Sequence, residues 1–426
     1  MRILFLSDNF PPESNAPATR VYEHAVRWVR DGHHVTVITG APNFPEGKVY
    51  PGYVNRWRQV ETRDGIRVVR VKTFITANEG LIKRSLDYLS FMVTGFIGGL
   101  REPRPDVVVA TSPQFFCAMA GWALSVARWR PFVFELRDLW PASIVAVGAM
   151  AKSPVIRWLE CIELFLYRRA RRIVTVTHSF RADLVARGIP GDKIRVVLNG
   201  VDQEAYRPAP RDAELASRYG FNGCFVVGYM GTHGMAHGLD RVLEAASALK
   251  HRDDIRFFFA GAGAERDRVA HQVEALQLTN VTMIPRQPKS AMPALWSLCD
   301  LALIPLRDSP VFATVIPSKL FEAMGMGVPV LMSLPEGEAT AIVRSAGCGV
   351  CVPPGDASRM AEAIEQLADD PARHRTMAAA SAASAAHYSR DRLAKVMLDV
   401  LVDLAPLSSQ PRRSGRVAVS ARSEDP

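Results

Sequence analysis

Apolar and polar positions alternate along this chain at two distinct periods. Short runs rich in Val, Ile, Leu and Phe, each long enough for a buried strand, are separated by longer stretches whose apolar residues recur every third or fourth position, as on one face of a helix. In the first half, residues 2–6, 35–38, 67–71, 107–110, 132–135 and 173–177 predict strands, and residues 20–30, 81–100, 115–127, 154–169 and 181–187 predict helices. Val196-Val197-Leu198 then leads into a turn, Asn199-Gly200-Val201-Asp202. Residues 204–222, with Pro208 and Pro210, read as a linker. The alternation restarts with strands predicted at 225–229, 256–259, 281–284, 301–304, 328–331 and 349–352, again separated by helices, and a last helix at 392–404. This pattern predicts an α/β protein of two doubly wound sheets, whose ligands sit at the carboxyl ends of the strands.

Composition narrows the class. At 426 residues, 48% hydrophobic and 22% charged, the chain is long enough for two domains with full cores and is not of the disordered class. Its longest uncharged run, 107–127, is broken by Thr111-Ser112-Pro113-Gln114 and reads as strand, loop and helix rather than as a membrane span. Asp8 follows the first apolar run too closely for a signal peptide, so a cytoplasmic protein is expected. Six cysteines in a chain of this size do not make a disulfide framework. Cys348-Gly349-Val350-Cys351 has redox or zinc spacing, yet no second Cys/His pair lies nearby, and the stretch also reads as a turn entering a strand. The net charge of +9 favours acidic partners: a nucleotide diphosphate, anionic lipid headgroups or nucleic acid. Nucleic acid is not expected, because no zinc-finger, RNA-recognition or bZIP pattern is present. From Pro406 onward Ser, Pro and Arg dominate, and a disordered tail is expected over 406–426.

The stretch 312–332 carries the densest chemistry. Pro317-Ser318-Lys319 opens a short apolar helix bearing Glu322, a Gly-x-Gly stop follows, and Val328-Pro329-Val330-Leu331 reads as a strand. Free amides around Ser318, Lys319 and Leu320, the helix dipole and the Lys319 ammonium suit a phosphate or diphosphate. One turn on, the Glu322 carboxylate can accept hydrogen bonds from two adjacent hydroxyls, as on a ribose. A capped helix with a surface Glu fits the same residues.

Pro317-Ser318-Lys319-Leu320-Phe321-Glu322-Ala323-Met324 with Gly327-Val328-Pro329-Val330 resembles the donor-binding signature of retaining GT-B glycosyltransferases of the family 4 type, and more narrowly the L-fucosamine transferase branch of O-antigen and capsule biosynthesis. The resemblance implies two Rossmann-like domains facing a central cleft: an acceptor-binding domain over 1–205, a nucleotide-sugar domain over 206–389, and a helix at 390–405 packing back on the first. It also implies that Glu322 holds the nucleotide ribose. The family's other Glu, eight positions earlier and in contact with the donor sugar, is Thr314 here.

Other candidates follow from the same frame. Gly231-Thr232-His233-Gly234-Met235-Ala236-His237-Gly238, between a strand and a helix, can close its amides around a phosphate or serve as a plain turn. Where the resemblance implies an Arg and a Lys against the departing diphosphate, this loop offers His233 and His237; Lys319 and Arg286 are the expected compensating cations. Gly261-Ala262-Gly263-Ala264 lacks the third glycine of a dinucleotide fingerprint, since Arg266 stands there, and reads as a packing turn. On the acceptor side, the long loop 8–19 precedes a helix, with Asn15 and Arg20 as candidate contacts. Arg137-Asp138-Leu139-Trp140-Pro141, another point of resemblance, puts charges at a strand's carboxyl end; Asp138 is the candidate for contacting the transferred sugar or acceptor hydroxyl, with Arg137 orienting it, a structural Arg–Asp pair being the alternative. Ser179 is a candidate helix cap.

Two basic amphipathic stretches fit either a membrane surface or the core: Leu86, Leu89, Val93, Phe96 and Leu100, and Val155, Leu159, Ile162 and Leu166 widened by Trp158, Cys161 and Phe165. The resemblance implies front-face attack; the donor is expected to be a nucleotide-diphosphate sugar, most simply UDP-linked, and the acceptor a polyprenyl-diphosphate-linked saccharide, to which the basic stretches would add peripheral contact with the inner membrane. Helix N-termini and Lys319 can stabilise the leaving diphosphate, so a metal-independent transfer without other cofactor is expected. No Asp-x-Asp occurs. A GT-B-like nucleotide-sugar epimerase and a non-catalytic nucleotide-binding or scaffold protein are the alternative readings.

Overall fold

The structure, a computed structural model, describes residues 1–44, 46–76, 81–112, 115–139 and 153–405. Trp140, Pro141 and the expected tail at 406–426 lie outside the described residues.

The first sheet consists of β1 (Arg2–Leu6), β2 (His34–Gly40), β3 (Arg58–Arg63), β4 (Ile66–Val71), β5 (Val107–Thr111), β6 (Phe132–Leu136), β7 (Arg172–Thr175) and β8 (Ile194–Val196). Their order is β3-β4-β2-β1-β5-β6-β7-β8, all parallel except the β3–β4 hairpin. Period-two alternation sends Leu4 and Leu6 to one face and Ile3 and Phe5 to the other. The first face is covered by α2 (Leu81–Leu100), α3 (Phe115–Arg128) and α4 (Pro154–Arg169), and the second by α1 (Ala16–Arg30). α5 (His178–Ala186) follows β7.

The second sheet is wholly parallel, in the order β11-β10-β9-β12-β13-β14: β9 (Phe225–Met230), β10 (Ile255–Ala260), β11 (Val281–Ile284), β12 (Leu301–Pro305), β13 (Val330–Ser333) and β14 (Gly349–Val352). The helices that matter below are α6 (Ala213–Tyr219), α7 (Leu239–Ala248), α8 (Arg266–Ala275), α9 (Met292–Trp296), α10 (Lys319–Met326), α11 (Glu338–Ala346), α12 (Ala357–Asp369) and α13 (Pro371–Ala385). The expected linker is therefore not continuous loop: Asp212 caps α6 by accepting from Leu215 N–H, and Gly220 ends it in the left-handed conformation.

The last helix, α14 (Arg390–Val402), crosses back onto the first domain, where Leu393, Met397 and Leu401 complete the core beneath α1 and the Trp28 indole donates to Ala394 O. The chain thus passes between domains twice, and the crossings touch. Val201 and Ser389 form a parallel bridge, and a Cβ on Gly200 would lie 2.2 Å from Tyr388 O.

The carboxyl edges of the two sheets face one another. Arg286, just past β11, donates to the Ser14 hydroxyl at 2.6 Å, and Glu338 at the start of α11 accepts from the amides of His178 and Ser179. The α5 cap is Thr177, whose hydroxyl accepts from Phe180 N–H; Ser179, expected as the cap, instead meets Glu338 across the cleft.

Candidate active site

The donor side is assembled from α10 and the turn after β9. Gly327, at φ +70°, ends α10, and Val328 N–H closes it on Ala323 O, which delays β13 until Val330 because Pro329 has no N–H to give. At the other end the Ser318 side chain makes no capping bond. The Leu320 amide donates to Pro317 O, so it is not free for an anion as expected; the Ser318 and Lys319 amides have no acceptor among the described residues.

Lys319 brings these pieces together. Its Nζ lies 3.9 Å from the centroid of the Tyr229 ring and is within 3.1 Å of where a Gly231 Cβ would stand. The ammonium is shut from solvent, although the residue as a whole is only half-buried, and it has no hydrogen-bond partner among the described residues. Desolvation pulls its pKa down to about 7, with a small opposing pull from Glu322. A buried cation over an aromatic face, without a carboxylate in contact, is arranged to receive an anion.

Glu322, one turn on, accepts from the Trp296 indole at 3.3 Å through Oε2. Burial pushes its carboxyl up from its usual value; Trp296, Lys289 and Lys319 oppose that shift, and Glu23 reinforces it. Trp296 and Tyr229 carried no signal in the sequence, since both sit in apolar runs indistinguishable from core.

The glycine-rich turns interlock. A Cβ on Gly261 would stand 1.8 Å from Gly231 O, and one on Gly263, at φ +152°, 2.4 Å from His233 O. His233 N–H donates to Ala262 O, so the second turn is the backing of the first, as its missing third glycine suggested. His233 does not replace a basic side chain: it is fully buried against Tyr229 and Phe259, and burial, Arg266 and Lys319 hold its pKa at about 4. Nor does His237, which meets Pro305 O through Nδ1 and whose pKa burial and Lys319 lower to about 3. Both imidazoles are neutral near pH 7, so the charge around this turn comes from Lys319 beside Gly231, Arg266 near His233 and Arg307 beside Gly238. Thr232 is exposed, and its carbonyl accepts from the Tyr229 hydroxyl. The Thr314 hydroxyl donates to Val311 O within a short helical turn, leaving its oxygen able to accept. Arg286 spans the cleft to donate to Ser14.

Two acceptor-side expectations are corrected. Arg20 is 1% exposed and turned inward: it donates to Glu135, Leu198 O, Asn199 and Val197 O. It fastens α1 to β6 and the domain crossing, with four of its five N–H groups given to internal acceptors. Asn15 is the cap of α1, accepting from Ala18 N–H and donating to Asn9. Beside them, Arg137 at the carboxyl end of β6 keeps Nε and Nη1 buried without a hydrogen-bond partner among the described residues. Burial lowers its pKa to about 10; Glu135 and Asp138 oppose the shift while Arg20 and Arg390 add to it. Asp138 is half-buried at the same strand end. Among the described residues no group of three or more His, Cys, Asp or Glu is placed to hold a metal ion.

Comparison with known proteins decides what this cleft belongs to. Residues 15–200 match the model of the glycosyl transferase 4-like domain, and residues 217–384 match that of glycosyl transferases group 1. This chain is a GT-B glycosyltransferase with a family-4-like first domain. The transferase is 25% identical over 390 residues to WcaI of Escherichia coli (strain K12), assigned as a colanic acid biosynthesis glycosyl transferase, covering 89% of this chain and 94% of that one. Among solved structures it superposes on sucrose-phosphate synthase from Thermosynechococcus elongatus with a TM-score of 0.76 at 17% identity, over 95% of this chain and 98% of that chain. It superposes on Anabaena HepE, solved with UDP and glucose, with a TM-score of 0.71 at 19% identity, over 95% and 100%. The expected two-domain α/β fold is thereby established; the narrower fucosamine-transferase branch is not singled out.

Proposed function

We propose that the transferase moves a sugar, with retention of anomeric configuration, from a nucleotide-diphosphate sugar to a lipid-linked saccharide during assembly of a surface polysaccharide. One observation carries the donor half: the unpaired, solvent-shut Lys319 ammonium beside the Gly231 turn, with the Glu322 carboxylate one turn along α10. A diphosphate bridging Lys319 and the free amides of Ser318 and Lys319 leaves its ribose hydroxyls facing Glu322. Lys319 then stabilises the charge that develops on the departing phosphate. UDP is the favoured nucleotide because HepE, of the same fold, was solved with it. The polysaccharide acceptor is suggested by the assignment of WcaI. Asp138 is the residue assigned to the transferred sugar or the acceptor hydroxyl, held in place by Arg137, and Thr314 supplies a hydroxyl where the sugar contact is otherwise a carboxylate.

The test is thermal stabilisation by UDP against GDP. At about 100 times its dissociation constant a ligand adds about 2.7 kcal/mol to stability. UDP should raise the melting temperature of the wild type and leave Glu322→Ala unmoved. Stabilisation by GDP alone reassigns the nucleotide; a folded protein stabilised by neither removes the donor site. Retention is read from the anomeric configuration of the product by NMR, and an inverted centre overturns it.

A further inference from the structure

Buried polar atoms without a hydrogen-bond partner gather where α1, the carboxyl end of β6 and the head of α14 meet. Among the described residues, Nε and Nη1 of Arg137, Nη1 of Arg390, Nε2 of His24 and Oε2 of Glu135 have none. Three guanidinium groups, those of Arg20, Arg137 and Arg390, share this place with two carboxylates. Both carboxylates are engaged elsewhere. Glu135 holds Arg20 at 2.8 Å, and Glu23 pairs with Arg390 and with Lys289. Arg137 forms an ion pair with neither of them; Glu135 favours its charge only through space.

The field at this place is accordingly positive. Arg20, Arg390, Arg27 and Arg137 each oppose protonation of the buried His24 imidazole, which stays neutral. The stretch 140–152 that follows β6 contains no Asp or Glu to balance the guanidinium groups. A guanidinium kept out of water without a contacting anion is costly, and the cost is recovered when a ligand brings one.

The location is one a substrate can reach. Arg137 follows β6 at the carboxyl edge that faces the second domain, and its amide donates to the Ser112 hydroxyl just past β5 at 2.8 Å. Glu23, which closes the cluster, also acts on Glu322 of the donor site. The planar N–H donors of a guanidinium match two oxygens of a carboxylate or of a phosphate. A neutral hexose would leave the charge of Arg137 uncompensated.

We propose that Arg137 receives an oxyanion carried by the saccharide substrate, a uronate carboxylate or a sugar phosphate. The transferase thereby selects an acidic sugar over a neutral one. The proposal rests on the sugar-transfer reading for what enters the cleft, and goes beyond it in naming the charge that the substrate carries.

The experiment is titration calorimetry on the full chain with matched acidic and neutral probes. UDP-glucuronate against UDP-glucose asks whether the oxyanion belongs to the donor. Glucuronate and glucose 1-phosphate against glucose, with UDP present, ask whether it belongs to the acceptor and whether it is carboxylate or phosphate. In at least one comparison the acidic probe should bind about tenfold or more tightly than the neutral one. Arg137→Met should abolish that preference and Arg137→Lys should retain part of it, both with the wild-type circular dichroism. Equal binding of acidic and neutral probes by the wild type in every comparison overturns the proposal without recourse to a variant. So does a preference that survives undiminished in Arg137→Met, which would leave Arg137 as an internal partner of Glu135. Failure of UDP to bind the wild type sinks the donor reading alone, because the free-acid comparison and its loss in Arg137→Met need no bound nucleotide.

Discussion

Lys319 is poised at the pH where its charge is decided. Free of ligand, its native pKa is about 7 against an ordinary 10.5, so the unfolded chain holds a proton that the native one gives up over that interval. Stability of the ligand-free protein therefore gains from this group as pH rises from about 7 toward 10.5, and the gain is lost as pH falls through about 7. A bound diphosphate reverses the preference by requiring the ammonium. The expected outcome is a dissociation constant for UDP that weakens by up to about tenfold per pH unit above about pH 7, seen by calorimetry, and a slope that disappears in Lys319→Met. At this scale the sequence located Lys319 and Glu322 in the first turn of a short helix, where α10 carries them. It misled where burial decides. The histidines of the glycine-rich turn look like surface donors in sequence and are neutral packing groups in the fold, and Arg20 looks like an anion contact yet is spent on four internal acceptors.

Among the elements, the two glycine-rich turns act as one part. Because a Cβ on Gly261 would meet the backbone oxygen of Gly231, Gly261→Ala must move the Gly231 turn itself. It should cost about 1–3 kcal/mol and weaken UDP binding, whereas Gly220→Ala, with nothing within 4 Å but a left-handed φ of +72°, should lower the melting temperature without changing UDP affinity. Strong periodicity made most elements readable. β3 escaped notice because Arg-Gln-Val-Glu-Thr-Arg is an edge strand with one large apolar residue, Val60. Its signal lay in the turn: Asp64 and Gly65 both take positive φ, as a two-residue hairpin requires. α6 was hidden behind Pro208 and Pro210, although Asp212 and Gly220 mark its two ends.

For the molecule as a whole, one contact between the halves runs through Glu23. From α1 it meets Lys289 of the second domain and Arg390 at the head of α14, the latter at 2.5 Å with both side chains under 10% exposed. Removing this carboxylate strands a buried guanidinium, so Glu23→Ala should destabilise by about 3–5 kcal/mol, measured as a lowered melting temperature, and should alter UDP affinity through Glu322, which feels both Glu23 and Lys289. Contacts of this kind, joining residues 266 positions apart, have no local pattern and could not be read from the chain. The return of α14 has a further consequence. The first domain lacks part of its core until residues beyond 390 have been made, whereas the second sheet and the helices on it are complete by Ala385. On the ribosome the half begun first is finished last. Truncated chains ending near residue 390, once released from the ribosome, should accordingly show protease protection over the second sheet while the α1 face of the first remains open to cleavage, and protection of both halves at that length would contradict this order.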